Sequence, residues 1–377
     1  MIYRTNSSRA ISEAFYAVNN DAINEFYNID TKPYNVYTEE NVFKVIWGGI
    51  KAFFRMLRDL FMRFINWIKS LFSKHKATAA ADDAKAKEVV KAVAALPAGN
   101  SIAVAALPAA SLPALPAPSD DFGNIKHPVT DVSNVNSADS VVKIINFVDI
   151  NAAQASLDIL KKFVKYETDM TNELLKDMSI DRNSAESNIT ELINSGMSAD
   201  EFIEKSFGAM VNDINKEFGI NISIDYSVDQ IKEEFKKIYG IKYTVGELKL
   251  KDIPEYNKRV SNIVFQIDNE VQKLSYLIKT GIDMNERIAN DMATMLKNKG
   301  YTEDQINETL KTFSTYTSAL NQFLTSSAQA ATEKSNGIND SKSETIDNIY
   351  TAIIANNNGN DNNVSESGNV FANIRFM

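Results

Sequence analysis

The sequence predicts a mainly α-helical protein with a small β insertion. Apolar residues recur at helical spacing through most of the chain, as at Val260, Ile263, Ile267 and Val271. Helix start signals precede several of these stripes, and one interval, residues 220–245, has the two-residue period of strands. The chain has 377 residues, 44% of them hydrophobic, which is enough for at least one core. We expect N-terminal amphipathic helices, an Ala/Pro-rich linker and a C-terminal helical bundle.

Residues 1–40 are expected to form one short helix followed by a loop. Ile11 and Phe15 lie on one face after Ser8, which can act as an N-cap, and Pro33 lies in the segment that ends the helix. The first twenty residues contain no continuous apolar stretch of the signal-peptide type. We therefore do not expect classical secretion.

Residues 41–76 predict a basic amphipathic helix. Its aromatic and aliphatic residues recur at helical spacing and form one wide apolar face. Eight Lys or Arg residues are opposed by the single acidic residue Asp59, although the whole chain has a formal net charge of −9. These cations interrupt the apolar run too often for a helix that crosses a bilayer. We expect a helix that lies on a membrane surface or in a groove of a partner protein.

Aromatic and basic side chains on this helix are the candidate binding residues. Aromatic rings suit the lipid headgroup boundary and cations suit anionic lipid, so an anionic membrane surface is the first expected partner. A groove in another protein, or in the chain's own bundle, requires the same apolar face. Nucleic acid is the weaker alternative, because so large an apolar face would have no role there. The candidates are Trp47, Lys51, Phe54, Arg55, Arg58, Phe61, Arg63, Phe64, Trp67 and Lys69.

Residues 77–136 have the composition of a linker rich in Ala, Leu and Pro. The heptapeptide Ala-Val-Ala-Ala-Leu-Pro-Ala occurs twice, at 92–98 and at 103–109. Repeated prolines prevent a continuous helix and favour extended, polyproline-like backbone. We expect a semi-stiff tether, and a site of proteolytic processing is the sharper alternative.

Residues 137–335 are expected to form the helical bundle. The apolar stripe from Val141 to Met178 predicts a long helix, and Ser198 to Glu201 has the form of a capping box. Pro254 and the Thr302 to Gln305 box open two further helices. Several amphipathic faces that need one another are best satisfied by an antiparallel bundle.

Two short segments inside the bundle region alternate apolar and polar residues. Residues 220–226 and 241–245 do so on either side of a helix-like stretch, which predicts a two-stranded insertion. The last segment, residues 336–377, is rich in Asn and is expected to be mostly flexible.

The residues required by common catalytic sites are missing. The chain has no cysteine and only two histidines, His75 and His127, which we expect to be exposed. It contains no phosphate-binding or dinucleotide-binding glycine motif. Neighbouring carboxylates such as Asp82 and Asp83 are expected to be solvated. We therefore expect no enzymatic activity, cofactor, metal site or small-molecule substrate.

This organisation resembles that of tailed-bacteriophage virion proteins. The resemblance combines the basic aromatic helix at 41–76, the Ala/Pro tether at 77–136 and the helical, Asn- and Lys-rich body. Internal head proteins and proteins ejected with the genome are the closest comparison. The resemblance implies a structural protein made in the host cytoplasm and located inside the capsid or attached to it. It also implies contacts with other virion proteins and leaves room for self-association.

Two other functions fit the same sequence. In the first, the protein is a membrane-active effector that resembles helical pore-forming toxins, although the prolines between residues 89 and 118 disfavour a regular inserted hairpin. In the second, it is a soluble scaffold whose basic helix is docked on its own acidic body.

Overall fold

The computed structural model describes residues 39–95, 127–132, 135, 137–180, 199–223 and 227–360. It confirms the predicted fold class, since helices dominate these residues and a small antiparallel sheet accompanies them. The short helix predicted within residues 1–40 lies outside the described residues.

Long helices account for most of the described chain, and a short 3₁₀ turn at Leu250–Asp252 precedes α5. The elements in chain order are α1 (Glu39–Ala94), β1 (Val129–Asp131), β2 (Val141–Val148), α2 (Ile150–Ile180), α3 (Ala199–Phe218), α4 (Val228–Tyr239), β3 (Tyr243–Lys249), α5 (Ile253–Asn298) and α6 (Glu303–Asn360).

Helix α1 is longer than composition suggests. It continues through residues 77–94, which the sequence assigned to the linker. Alanine and lysine are strong helix formers, and the first proline after residue 76 is Pro97, so nothing interrupts the helix before that point. Residues 77–94 contain few large apolar residues, so a prediction from composition assigned them to the linker although the helix continues through them. The rest of the predicted linker up to residue 126 lies outside the described residues.

The predicted signals at helix ends are confirmed where the structure describes them. Pro254 lies in the first turn of α5. At the start of α6, the Gln305 N–H donates to Thr302 Oγ1 at 3.3 Å and the Thr302 N–H donates to Gln305 Oε1 at 3.0 Å. Gly300, with φ of 80°, reverses the chain between these helices. Ser198 lies outside the described residues.

The sheet corrects the helix predicted from Val141 onward. Val141–Val148 is the central strand of the order β1-β2-β3, and both pairings are antiparallel. Its first residues alternate between exposed and buried side chains, which is the period of a strand. A short run that is almost wholly apolar fits both periods, so periodicity alone assigned it to the wrong element.

A bulge interrupts the pairing of β2 with β3. The register shifts between Ile144 and Phe147, and Asn146 takes a positive φ of 60° at the extra position. The Asn146 side chain donates to the carbonyl of His127 at 3.0 Å. The bulge places the Phe147 ring over Gly246 and stacks it on Tyr256 with ring centroids 5.0 Å apart.

The predicted two-stranded insertion is partly wrong. Residues 243–249 do form a strand, but residues 220–223 have no regular structure. Ile220 and Ile222 are nevertheless buried, as the alternation implied. The Asn215 amide takes the place of a partner strand, because it bonds both the N–H and the carbonyl of Ile222, at 2.8 and 2.7 Å. Ile224 and Tyr226 lie outside the described residues.

The chain divides into two compact units. Unit 1 takes α1 up to Phe72 together with Ser156–Gly240 and Gln266–Lys334. Of the described residues, unit 2 takes those between Ser73 and Ala155, Ile241–Phe265 and those from Ser335 to Asn360, and it contains the sheet.

An aromatic cluster forms the core of unit 1. The Phe163 ring lies 5.4 Å from Phe218, 5.2 Å from Phe235 and 6.0 Å from Phe323, measured between centroids. Most of these rings meet edge to face, which is the favoured geometry for aromatic pairs. Since the rings come from α2, α3, α4 and α6, the cluster ties four helices together.

Helix α6 corrects the prediction of a mostly flexible tail from residue 336. It continues to Asn360, and Ile338, Ile346, Ile349 and Ile353 are fully buried. Mostly polar residues separate these isoleucines, so the segment has a polar composition although its isoleucines lie in the core of unit 2. Residues 361–377 of the predicted tail lie outside the described residues.

Candidate binding surface on helix α1

Helix α1 buries one face along most of its described side chains. The buried positions alternate spacings of four and three residues, with the half-buried Ala79 completing the series, which is a heptad pattern. The buried residues are Ile68, Phe72, His75, Asp82, Ala86, Val89 and Val93. Ile68 and Phe72, which a membrane-surface helix would place in lipid, are here part of the protein core.

The opposite face of α1 between residues 62 and 77 is exposed and cationic. Arg63, Lys69 and Lys76 are exposed, as are Met62 and Asn66 between them. The sequence has no Asp or Glu between residues 60 and 81, so no acidic residue of α1 offsets these charges locally. The three cations are spaced about 10 Å apart along the helix axis. We call Arg63, Lys69 and Lys76 the cationic face.

The ten predicted binding residues divide between the two faces and the undescribed side chains. Arg63 and Lys69 lie on the cationic face, and Trp67 is half-buried beside it. Arg58 is turned toward the protein. The remaining six lie in α1, but their side chains are outside the described part of the chain: Trp47, Lys51, Phe54, Arg55, Phe61 and Phe64.

Arg58 joins α1 to α5 within unit 1. Its guanidinium donates to Glu286, and its Nε lies 3.6 Å from a carboxylate oxygen of Asp283. All three side chains are partly exposed, so the pairs are screened by solvent and each is worth little on its own. They place two carboxylates of α5 beside the basic helix at this point.

Sequence reasoning missed a buried polar group where α1 crosses unit 2. Asp82 and Lys342 are almost completely buried, and Asp82 Oδ2 lies 3.1 Å from Lys342 Nζ. Lys342 donates to Ser261 Oγ at 2.9 Å, and Ser343 donates to Asp82 Oδ1 at 3.1 Å. Burial lowers the pKa of Lys342, and the neighbouring Asp82 carboxylate opposes that shift. The expectation that Asp82 is solvated was therefore wrong.

The two histidines also have different environments. His75 is buried, contrary to expectation, and its Nε2 lies 2.9 Å from Asn336 Oδ1. His127 is exposed, as predicted, and its Nδ1 lies 2.8 Å from a carboxylate oxygen of Glu344. The continuing heptad of α1 was the signal that could have placed His75 and Asp82 inside.

Unit 1 buries two further ionisable groups that have no charged partner among the described contacts. Burial raises the pKa of the Glu167 carboxyl to about 8, and its Oε1 has no hydrogen-bond partner. Burial lowers the pKa of Lys334 to about 7, and its amine donates to the Gly240 carbonyl at 3.0 Å. Each shift favours the uncharged form, as expected where solvation of the charge is lost.

Neither a membrane span nor a metal cluster is found in the described ranges. No helix there combines the length and the apolar character needed to cross a bilayer. No group of three or more His, Asp or Glu side chains there could hold a metal ion. No family model, curated protein or solved structure matches the chain. Function is therefore inferred from the residues of the chain itself.

Proposed function

We propose that the protein is a non-enzymatic structural component of a tailed-bacteriophage virion that attaches to an anionic membrane surface through helix α1. The observation that carries the attachment is the division of α1 into a buried face and the cationic face. The virion assignment is supported by the resemblance in organisation alone.

Attachment through the cationic face is electrostatic. Ile68 and Phe72 are buried in the protein, so they are not available to lipid while α1 remains in place. Arg63, Lys69 and Lys76 are exposed on the other side, where lipid phosphates can reach them. Each cation held near an anionic surface contributes about 1 kcal/mol. Binding of this kind weakens with salt, because the Debye length falls to about 10 Å at 0.1 M.

Vesicle binding of the full chain tests this attachment. The variant R63Q/K69Q/K76Q removes the cationic face without touching the buried residues. We expect its affinity for vesicles containing phosphatidylglycerol to fall by about 3 kcal/mol, or roughly a hundredfold, at low salt. The unaltered protein should not bind vesicles made of neutral phosphatidylcholine alone.

The matched control is K143Q/K242Q/K249Q, which removes three exposed cations from the region of the sheet. It changes net charge equally and should retain most of the binding. Equal losses in the two variants would mean that net charge, and not α1, attracts the vesicles. If vesicles never bind while an acidic capsid protein does, the partner is that protein and the membrane proposal fails.

The virion assignment needs a separate test. Mass spectrometry of purified phage particles from a lysate in which the gene is expressed should detect the protein in stoichiometric amounts. Its absence from particles, together with its presence in the soluble lysate, would remove the virion assignment. The attachment through α1 would then be judged by the vesicle experiment alone.

A self-docked scaffold is the second candidate function, and one observation favours it. Arg58 is paired with Asp283 and Glu286, while Ile68 and Phe72 are buried, so the described part of the basic helix is held by the protein itself. Limited proteolysis separates the two candidates. A segment 53–72 that stays protected, in a protein that binds neither vesicles nor capsid proteins, would favour the scaffold.

A further inference from the structure

Four polar contacts join α1 to α6 within unit 2. His75 contacts Asn336, Asp82 accepts from Ser343, Lys85 pairs with Asp347, and the Glu88 carboxylate bonds Tyr350. The numbers rise together on both helices, so α1 and α6 run parallel here. His75 and Asp82 lie seven residues apart on the buried heptad positions of α1, and Lys85 and Glu88 flank those positions. We call these four residue pairs, with Lys342, the polar seam.

The ion pair of the seam is its most deeply buried part. Lys342 and Asp82 are 0% and 1% exposed, and Lys342 also donates to Ser261 of α5. Ser261 in turn donates to Asn257, whose amide reaches the carbonyl of Ala79 in α1. One connected set of polar groups therefore holds α1 against both α5 and α6. Within this set Asp82 Oδ2 accepts no hydrogen bond, and it is held by its charge contact with Lys342.

A seam of this kind fixes the position of a helix more than it strengthens its attachment. Desolvation of a buried ion pair offsets most of the attraction between the charges, and apolar residues of similar volume often bind more firmly. Polar groups at heptad positions instead select one register and one partner. Because a polar seam loses less on hydration than an apolar one, α1 can leave unit 2 at a smaller free-energy cost than a helix held by apolar contacts alone.

We propose that the polar seam is an autoinhibitory latch, which keeps the apolar face of α1 inside the protein until the helix meets an anionic membrane surface. This inference rests on the proposed attachment of α1 and adds its regulation. Release of the seam frees Ala86, Val89 and Val93, which lie on one side of α1, while Lys76, Lys87 and Lys91 are exposed along the same part of the helix. Binding through the cationic face comes first, and burial of the apolar face in the lipid interface follows.

Three full-length variants test the latch. D82N leaves Lys342 buried without its counter-ion and should open the seam. D82L/K342M replaces both charges with apolar side chains and should close it more firmly. D139N makes the same chemical change in an exposed ion pair of unit 2, where Asp139 lies 2.5 Å from Lys251.

Hydrogen exchange followed by mass spectrometry gives the first readout, without vesicles. In D82N we expect the amides of residues 73–93 to exchange at least tenfold faster while the aromatic cluster of unit 1 keeps its protection. D82L/K342M should slow the same amides, and D139N should leave them unchanged. Unchanged exchange at residues 73–93 in D82N, or equal acceleration throughout the chain, would overturn the latch.

Vesicle binding gives the second readout and separates the two proposals. We expect D82N to bind phosphatidylglycerol vesicles at least fivefold more tightly than the unaltered protein, and D82L/K342M to bind at least fivefold more weakly. If D82N does not fold, the test rests on D82L/K342M. Vesicle binding by D82L/K342M that equals binding by the unaltered protein would contradict the latch. If the unaltered protein binds but its residues 73–93 stay protected on the vesicle, the latch fails and the attachment stands. If no variant binds vesicles, the attachment fails.

Discussion

At the scale of single residues, one aromatic ring explains why position 246 is a glycine. A Cβ at this position would lie 2.3 Å from Cδ1 of Phe147. That ring cannot move away freely, because it is stacked on Tyr256. The bulge at Asn146, the ring of Phe147 and the missing side chain at 246 are therefore one local arrangement.

Gly246→Ala should therefore be destabilising. Overpacking of this kind lowers the free energy of unfolding by about 1 to 3 kcal/mol, measured by urea denaturation. Gly208→Ala is the matched control, because nothing lies within 4 Å of a Cβ there and the residue is inside α3. That control should gain about 0.5 to 1 kcal/mol from helix propensity. A loss in the control as large as in Gly246→Ala would remove the role given to the Phe147 ring.

The buried Glu167 and Lys334 make stability depend on pH in opposite directions. The pKa of Glu167 is raised from 4.5 to about 8 on folding, so its favourable contribution is complete below pH 4.5 and is lost as pH rises to about 8. The pKa of Lys334 is lowered from 10.5 to about 7, so its contribution is complete above pH 10.5 and is lost as pH falls to about 7. Together they predict a stability minimum between pH 7 and 8.

Two variants test this dependence of stability on pH, measured by urea denaturation at a series of pH values. Glu167→Gln should remove a fall in stability of up to about 1.4 kcal/mol per pH unit between pH 4.5 and 8. Lys334→Met should remove the rise above pH 7. Parallel pH profiles for the unaltered protein and both variants would show that neither group titrates as described.

At the scale of elements, α1 shows both the reach and the limit of sequence reasoning. The basic amphipathic part was recognised because large apolar residues and cations recur at helical spacing. The continuation to Ala94 was missed because its buried positions are filled by His75, Asp82 and small residues, which carry little hydrophobic signal. Whether a side chain is buried depends on which other elements pack against it, and a single stretch of sequence does not contain that information.

Helix α6 was misjudged for the same reason. Beyond residue 335, Ser341, Lys342 and Thr345 are all buried, so an amphipathic pattern is lacking there and composition indicated a flexible segment. Its start at the Thr302 capping box was predicted correctly, since capping depends only on neighbouring residues. Local signals were therefore reliable, and polar burial was not.

At the scale of the whole molecule, sequence predicted the fold class but not which segments complete the core. Residues 137–335 were expected to form a bundle by themselves. In the structure, both units also include part of α1, and unit 2 includes α6 beyond Lys334. Val89 of α1 and Ile349 of α6 are fully buried there. A fragment without these segments exposes apolar surface that the complete protein covers.

The fragment 137–332 should consequently fail to melt cooperatively. A longer fragment, 39–360, contains every described element and should melt as one or two cooperative transitions. Circular dichroism at 222 nm during heating measures both. A sharp, reversible transition in 137–332 would show that α1 and the end of α6 are dispensable for the core.

The division of α1 into a buried and an exposed face is the central claim, and thiol labelling tests it most directly. The chain has no cysteine, so a single introduced cysteine reports its own surroundings. Ser70 lies on the exposed side of α1 and Ala86 is 0% exposed. In the folded full-length protein, S70C should react with a maleimide as fast as a free peptide thiol, and A86C should react at least a hundredfold more slowly. Comparable rates at the two positions would contradict the two-faced helix on which the proposed attachment depends.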